Sequence, residues 1–238
     1  MMEKLHFDDL NIYVSVYEYI NSNMYVLIEQ NEVLVVDPHK NSEVENLLLK
    51  SNVQKVTVLL THEHCDHTSG LWWFLENFDC TTICTEASAS KISDKKYNRP
   101  LLLALKINEY DEKHGTHNLE RFKNEYVWTT YNADIVYQND MRYIWRNHAL
   151  YFCAIPGHSI GSSFVILDEK YVFSGDSVLK EYPVIISFPD SDKDIFMNKT
   201  LPLIDHCLLP DMTILPGHGK PFLFEDILQG GKIHVELR

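Results

Sequence analysis

Cations are scarce in this chain. Lys and Arg number 21 against 34 Asp and Glu, a formal charge of −13, and so acidic a surface repels the phosphate backbone that a nucleic-acid binder must neutralise. The one basic concentration, Lys91 to Arg99, is interrupted by Asp94 and mixed with Ser and Tyr, and reads as a solvated helix face. No nucleic-acid partner is expected. Long apolar runs are missing too: none could span a bilayer, and Met1 to His6 lacks the basic start and apolar stretch of a secretory signal. A cytoplasmic protein without membrane contact is the expectation. Cysteine is limited to Cys65, Cys80, Cys84, Cys153 and Cys207, an odd set without framework spacing, which excludes a disulfide scaffold and fits reduced thiols. There is no internal repeat, low-complexity tract or linker. At 238 residues and 45% hydrophobic content, residues 1–238 are expected to form one domain with a sizeable core.

Metal-ligand side chains, by contrast, are concentrated in one place. Thr61-His62-Glu63-His64-Cys65-Asp66-His67-Thr68-Ser69-Gly70 packs four imidazole and carboxylate candidates, His62, His64, Asp66 and His67, into six positions. The β-branched run Val56 to Leu60 before it reads as a buried strand, and Leu71 to Leu75 after it as a helix that Thr68 or Ser69 can cap. The ligand types therefore lie on a strand-to-helix loop, where they can converge on a divalent cation.

Around that loop the periodicity predicts strands at Leu10 to Tyr17, Met24 to Glu29 and Glu32 to Val36, the last two joined by a Gln30-Asn31 hairpin. Ser42-x-x-Glu45 reads as a capping box opening a helix through Lys50. Further strands are predicted at Thr81 to Cys84, Met141 to Trp145, Leu150 to Ala154, Ser163 to Leu167, Tyr171 to Phe173 and Thr213 to Leu215. A helix from about Lys193 to Leu209 is kinked or split by Pro202. Between about residues 87 and 132 the sequence is aromatic and charged without a clear period, as expected of an insertion or lid. His114 and His117 in that stretch read as surface residues.

His62-x-His64-x-Asp66-His67 resembles the signature of the metallo-β-lactamase-like hydrolase superfamily, and four more of its motifs follow in order. Val35-Val36-Asp37-Pro38, Gly157-His158-Ser159-x-Gly161-Ser162, Ser174-Gly175-Asp176 and Pro216-Gly217-His218-Gly219 are each similar to a family motif. The resemblance implies an α/β fold, a four-layered αββα sandwich with its metal site along one edge. It implies two divalent metal ions, most simply zinc, with iron or manganese as alternatives. His62, His64 and His158 would bind the first ion, Asp66, His67 and His218 the second, and Asp176 both. Two divalent ions about 3.5 Å apart repel by on the order of 20 kcal/mol at an effective dielectric of 20, so an anionic bridge such as Asp176 is needed. Asp37 is read as a partner for the other nitrogen of a ligating histidine, and Cys65 as a core thiol.

The implied activity is hydrolysis of a small-molecule thioester, ester or lactone by a metal-bound hydroxide, with Asp66 and Asp176 as catalytic carboxylates. Asp176 stands where β-lactamases of this fold carry Cys or Ser, and His64 where flavodiiron proteins carry Glu. The glyoxalase II-like and lactonase-like branch fits better. Lys180 sits near a basic position of that branch, and Lys180 and Tyr182 are the expected substrate contacts. Ser187 to Asp190 resembles the branch's turn without its preceding arginine, since Ile185 and Ile186 stand there. Two alternatives accompany the hydrolase: a metal-stabilised binding or regulatory protein with little turnover, and a mononuclear iron oxygenase of the persulfide dioxygenase type.

Overall fold

The computed structural model describes residues 2–7, 10–230 and 233–236. Its first half runs β1 (Met2–His6), β2 (Asn11–Val16), β3 (Asn23–Glu29), β4 (Glu32–Val36), α1 (Ser42–Lys50), β5 (Lys55–Leu59), α2 (Cys65–Thr68), α3 (Leu71–Asn77) and β6 (Asp79–Thr85). Helices α4 (Glu86–Ile92), α5 (Leu101–His114) and α6 (Asn118–Glu125) follow, then β7 (Ile135–Tyr137). The second half runs β8 (Asp140–Trp145), β9 (His148–Ala154), β10 (Ser163–Leu167), β11 (Tyr171–Gly175), β12 (Val184–Ile185), α7 (Lys193–Ile195), a π-helical turn (Phe196–Thr200) and α8 (Leu201–Cys207). It ends with β13 (Thr213–Pro216), β14 (Phe222–Leu223), α9 (Glu225–Gly230) and β15 (Val235–Glu236).

Two sheets form the frame. One has seven strands in sequence order β1 to β7, antiparallel through β4 and parallel from β4 onward; the other has six, in the order β14-β13-β11-β10-β9-β8. Successive side chains on a strand point to opposite faces, and both faces of the central strands are apolar. On β3, Tyr25 and Leu27 face the second sheet and pack with Leu34, Val36, Phe152, Val165 and Phe173. Met24 and Val26 of the same strand face outward and pack with Val44 and Leu48 of α1 and with Leu71 and Phe74 of α3. On the far side, Phe164, Ile166 and Val172 meet Ile204 of α8 and Ile227 of α9. The layers are therefore helix, sheet, sheet, helix, as the resemblance implies. Across the edge formed by β8 and β9, His148 Nε2 lies 2.8 Å from Glu29 and Arg146 Nη1 2.9 Å from Glu32, tying the sheets together.

Several local readings change. Asn41 caps α1, accepting from the N–H groups of Glu43 and Val44, so Ser42 is the first helical residue and no capping box forms. Neither Thr68 nor Ser69 caps α3: a short helix, α2, intervenes, Thr68 donates to His64 O, and Gly70 occupies the cap position. β1 is an additional edge strand paired with β2. The run from Lys193 is continuous rather than split: a π turn over Phe196–Thr200 directly precedes Pro202 and widens the helix where the proline cannot donate. Residues 87–132, which show no clear period, hold α5, α6 and most of α4. α5 and α6 dock through Leu103, Ile107 and Phe122 onto Tyr17 and Tyr19. No helix of the described residues is long and apolar enough to cross a membrane.

Phe173 is fully buried between the sheets, its ring 5.4 Å from that of Tyr25. Phe173→Ala is expected to cost about 3–5 kcal/mol in urea unfolding. Ile144→Ala, at a position 67% exposed, should change stability by less than about 0.5 kcal/mol. Equal effects would contradict this placement of the core.

Candidate metal centre

Strand ends deliver the side chains. β5 runs as a buried apolar strand to Leu60, and Thr61 then donates its N–H to Asp37 Oδ1 at 2.7 Å and its hydroxyl to Asp37 Oδ2 at 2.6 Å, fixing where the His62 to His67 loop departs. Asp37 follows β4 with φ of +53°, a conformation Asp tolerates better than most residues. From the second sheet, β11 ends at Gly175, whose φ is +50° and where a Cβ would lie 2.5 Å from Thr61 Oγ1. A side chain at Gly217 would collide with Asp176 Oδ1, so glycine there lets the backbone pass beside the carboxylate. His218 follows β13, and its loop is held by Asn23, whose Nδ2 donates to Pro216 O and Gly219 O at 2.9 and 2.8 Å. The Gly157 to Ser162 loop is pinned through Glu63, which accepts from Ser159 and Ser88 at 3.0 and 3.1 Å.

Four histidines are held in the same manner. The Nδ1 of His62 lies 3.0 Å from Thr61 Oγ1, that of His67 3.0 Å from Asp37 Oδ2, that of His158 2.8 Å from Ile185 O and that of His218 3.1 Å from Asn21 O. Thr61 has given its proton to Asp37, so each of these oxygens accepts. A neutral ring then carries its hydrogen on Nδ1 and leaves a lone pair on Nε2, aimed inward. His64 presents Nδ1, 3.1 Å from His158 Nε2.

Two triads result: His62, His64 and His158, and Asp66, His67 and His218, each with donor atoms within 4.8 Å of one another. Asp176 lies between them, with Oδ1 3.5 Å from His67 Nε2 and Oδ2 3.4 Å from His218 Nε2 and 3.6 Å from His158 Nε2. Asp66 Oδ2 is 3.2 Å from His67 and 3.4 Å from His218. Ligands about 2.1 Å from a tetrahedral ion sit about 3.4 Å apart, the spacing seen here. Nε2 of His62 and Oδ1 of Asp176 are buried without a hydrogen-bond partner, a costly arrangement unless a cation completes it. Five ring nitrogens, two carboxylates and no thiolate suit a divalent zinc, iron or manganese ion. Asp37, His62 and His67 form a third possible group. Both oxygens of Asp37 already accept from Thr61, and Oδ2 also from His67, which leaves it to orient rather than ligate.

Charge divides the centre. Burial pushes His62, His64 and His158 below the ordinary histidine range, so this triad is neutral. Burial also opposes charge on His67 and His218, but Asp66 and Asp176 outweigh it: His67 is raised well above its usual value and His218 to about 9. The two carboxylates, despite burial, are held well below theirs, chiefly by His67 on Asp66 and by His218 on Asp176. In the metal-free protein, protons on His67 and His218 stand where a cation would.

All seven expected ligands converge. Tyr182 lines the cavity over them, its ring 6.3 Å from that of His218. Lys180 is placed outside the residues that line that cavity: its Nζ turns to Asp226 Oδ2 at 2.8 Å, above the Phe222 ring. The Cys65 thiol packs toward Asn98, and burial raises its pKa to about 12, so it stays protonated. The cavity measures about 520 Å³, and its wall includes Lys91, Lys96 and Arg99, read from sequence as a solvated face, together with Leu101, Leu102 and Lys106. Only the position of residues 87–132 over the strand ends reveals them. The run Leu101 to Leu103 beside a basic stretch was the available signal.

The charge division predicts a pH optimum for metal-free protein. A histidine with a raised folded pKa stabilises fully below about pH 6.5 and less as pH rises, while one buried neutral destabilises below about pH 6.5. The melting temperature of chelator-stripped protein should peak near pH 6.5 and fall through about pH 9 as His218 deprotonates. His218→Gln should flatten the alkaline limb. A profile that is flat or rising from pH 6.5 to 9 in the unsubstituted protein would contradict this charge assignment.

Comparison with known proteins gives the same picture. The chain is 24% identical over 220 residues to a probable metallo-hydrolase of Streptococcus pyogenes serotype M6, covering 88% of this chain and 84% of that protein. Hydroxyacylglutathione hydrolase 1 of Vibrio vulnificus is 34% identical over 59 residues; that match spans 25% of this chain and about a quarter, 24%, of the relative. Among solved structures, the BLEG-1 B3 metallo-beta-lactamase superposes with a TM-score of 0.68 at 19% identity, covering 96% of this chain and 97% of that one. TTHA1623 in a di-iron-bound form gives 0.65 at 17%, covering 88% and 93%. Residues 19–218, a span holding Asp37 and all seven converging side chains, match the family model, and the chain belongs to the metallo-beta-lactamase superfamily.

Proposed function

We propose that the chain is a dinuclear metal-dependent hydrolase that cleaves a small thioester, ester or lactone. The carrying observation is the position of Asp176 between two triads of inward-facing donors, with one carboxylate oxygen unpartnered and buried. His62, His64 and His158 would hold one ion, Asp66, His67 and His218 the other, and Asp176 both. Two divalent ions there, most simply zinc, would supply Lewis acidity, lowering the pKa of water toward neutrality and polarising the acyl carbonyl.

The remaining work falls to side chains. Asp66, kept ionised, accepts a hydrogen bond from the attacking water and orients it. Water oxygen bonds to the acyl carbon, the bond to the leaving oxygen or sulfur breaks, and the proton released by the water passes to the leaving group. Asp37, Thr61 and the carbonyls of Ile185 and Asn21 hold the imidazoles in one tautomer and orientation. Phe188, with its ring 4.9 Å from His64 and 5.6 Å from His158, excludes water from one side. Tyr182, six residues earlier in the same segment, also lines the cavity with its ring 6.3 Å from that of His218, and its hydroxyl would hydrogen-bond the leaving group.

Elemental analysis and an acyl-substrate panel test this. Protein purified with metal should hold two ions per chain and hydrolyse an aryl ester, a thioester or a lactone, losing activity on chelation. Metal without turnover would favour a binding protein, and a single iron with sulfur-dependent oxygen uptake would favour the oxygenase. Asp176→Asn keeps the shape and removes the charge, so it should weaken the second ion at least tenfold and lower turnover by about 10² or more. Undiminished metal binding and rate would reduce Asp176 to a turn-capping role. Tyr182→Phe should lower kcat about tenfold with metal content unchanged, and full activity would remove Tyr182 from the reaction.

A further inference from the structure

The cavity over the ligands has a second kind of wall. In a chain of formal charge −13, four cations, Lys91, Lys96, Arg99 and Lys106, line the same space as His64, His158, Asp176 and His218. Two of the four are neutralised: Lys91 Nζ lies 3.0 Å from Asp190 and Lys106 Nζ 2.9 Å from Glu109. Among the described residues no ion pair joins Lys96 or Arg99 to a carboxylate. Each rests on an aromatic face instead, Lys96 5.5 Å from the centre of the Tyr97 ring and Arg99 5.6 Å from that of Trp128. These contacts position the cations without cancelling their charge.

The same cavity also has apolar lining. Leu101 and Leu102, in the first turn of α5, are 61% and 44% exposed although leucine gains by burial, and both line the cavity with Ile185 and Phe188. Phe188 packs directly against His64 and His158. A volume of about 520 Å³ is within the range that encloses most of a drug-sized ligand.

We infer that the substrate is an anionic amphiphile. Its scissile acyl group lies at the histidines and aspartates, an apolar segment covers Phe188, Leu101 and Leu102, and a carboxylate or phosphate group pairs with Lys96 and Arg99. This rests on the proposed hydrolase function for the acyl end alone; the anion preference is a property of the wall. It names a specificity surface that the metal ligands do not provide.

Isothermal titration of the metal-loaded protein with octyl phosphate, octanoate, octanol and inorganic phosphate tests it. Octyl phosphate or octanoate should bind at least tenfold more tightly than octanol and than inorganic phosphate, since both the charge and the chain are recognised. The tighter of the two anions identifies the source as a phosphate or a carboxylate. Replacing both cations in a Lys96→Ala, Arg99→Ala variant should remove the preference over octanol while leaving octanol binding, metal content and melting temperature unchanged. Equal binding of octanol and both anions would overturn the inference. So would a preference that survives in the double variant, because the anion would then be held by the metal ions. Turnover of an aryl octanoate, measured separately, keeps the two claims apart: turnover without anion preference removes this inference only, and anion preference without turnover removes the hydrolase only.

Discussion

Two largely buried carboxylates within reach of the same imidazoles are the constraint on which this structure depends. Asp66 and Asp176 each approach both His67 and His218 within 3.5 Å, and anions so placed require positive charge between them. Without metal, protons on His67 and His218 provide it. On the proposed reading, metal cations would replace those protons, and the neutral triad of His62, His64 and His158 is already in the protonation state a ligand needs. The centre is therefore asymmetric before anything binds: one half is ready and the other must release protons.

Holding that arrangement explains much of the architecture around it. Ligands come from the ends of both sheets, so the inter-sheet core of Tyr25, Phe152, Val165 and Phe173 sets the distance between the two halves. Tyr25 joins core to site directly, since its hydroxyl donates to Pro216 O at 2.8 Å, two residues before His218. Asp37 does the same from β4, receiving both hydrogens of Thr61 and orienting His67. Glycine at 175 and 217 is required because a Cβ there would strike Thr61 or Asp176. The cavity over these side chains is walled differently, by residues 91–106 and by the segment from Leu179 to Asp190.

This division also governs what was legible in the sequence. Ligands clustered on a strand-to-helix loop are a local signal, and the five ordered motifs carried the fold and all seven converging side chains. The direction of the Lys180 side chain was not legible, because an ion pair with Asp226, 46 positions away, has no local signature. The cavity role of Lys91 to Arg99 was not legible either. Lys96 and Arg99 are exposed, as a solvated stretch should be, and only the docking of α5 on Tyr17 and Tyr19 brings them over the cavity. The capping box at Ser42 lost to Asn41, one residue earlier and an equally good acceptor.

The central claim is that two cations share Asp176, and anomalous X-ray scattering from crystals of metal-replete protein, collected across the zinc, iron and manganese edges, tests it most directly. The account predicts two anomalous peaks, each within about 2.0–2.2 Å of its ring nitrogens. One should lie among His62, His64 and His158 and the other among Asp66, His67 and His218, with Asp176 contacting both. A single peak, or one bound by Asp37 in place of Asp176, would contradict it.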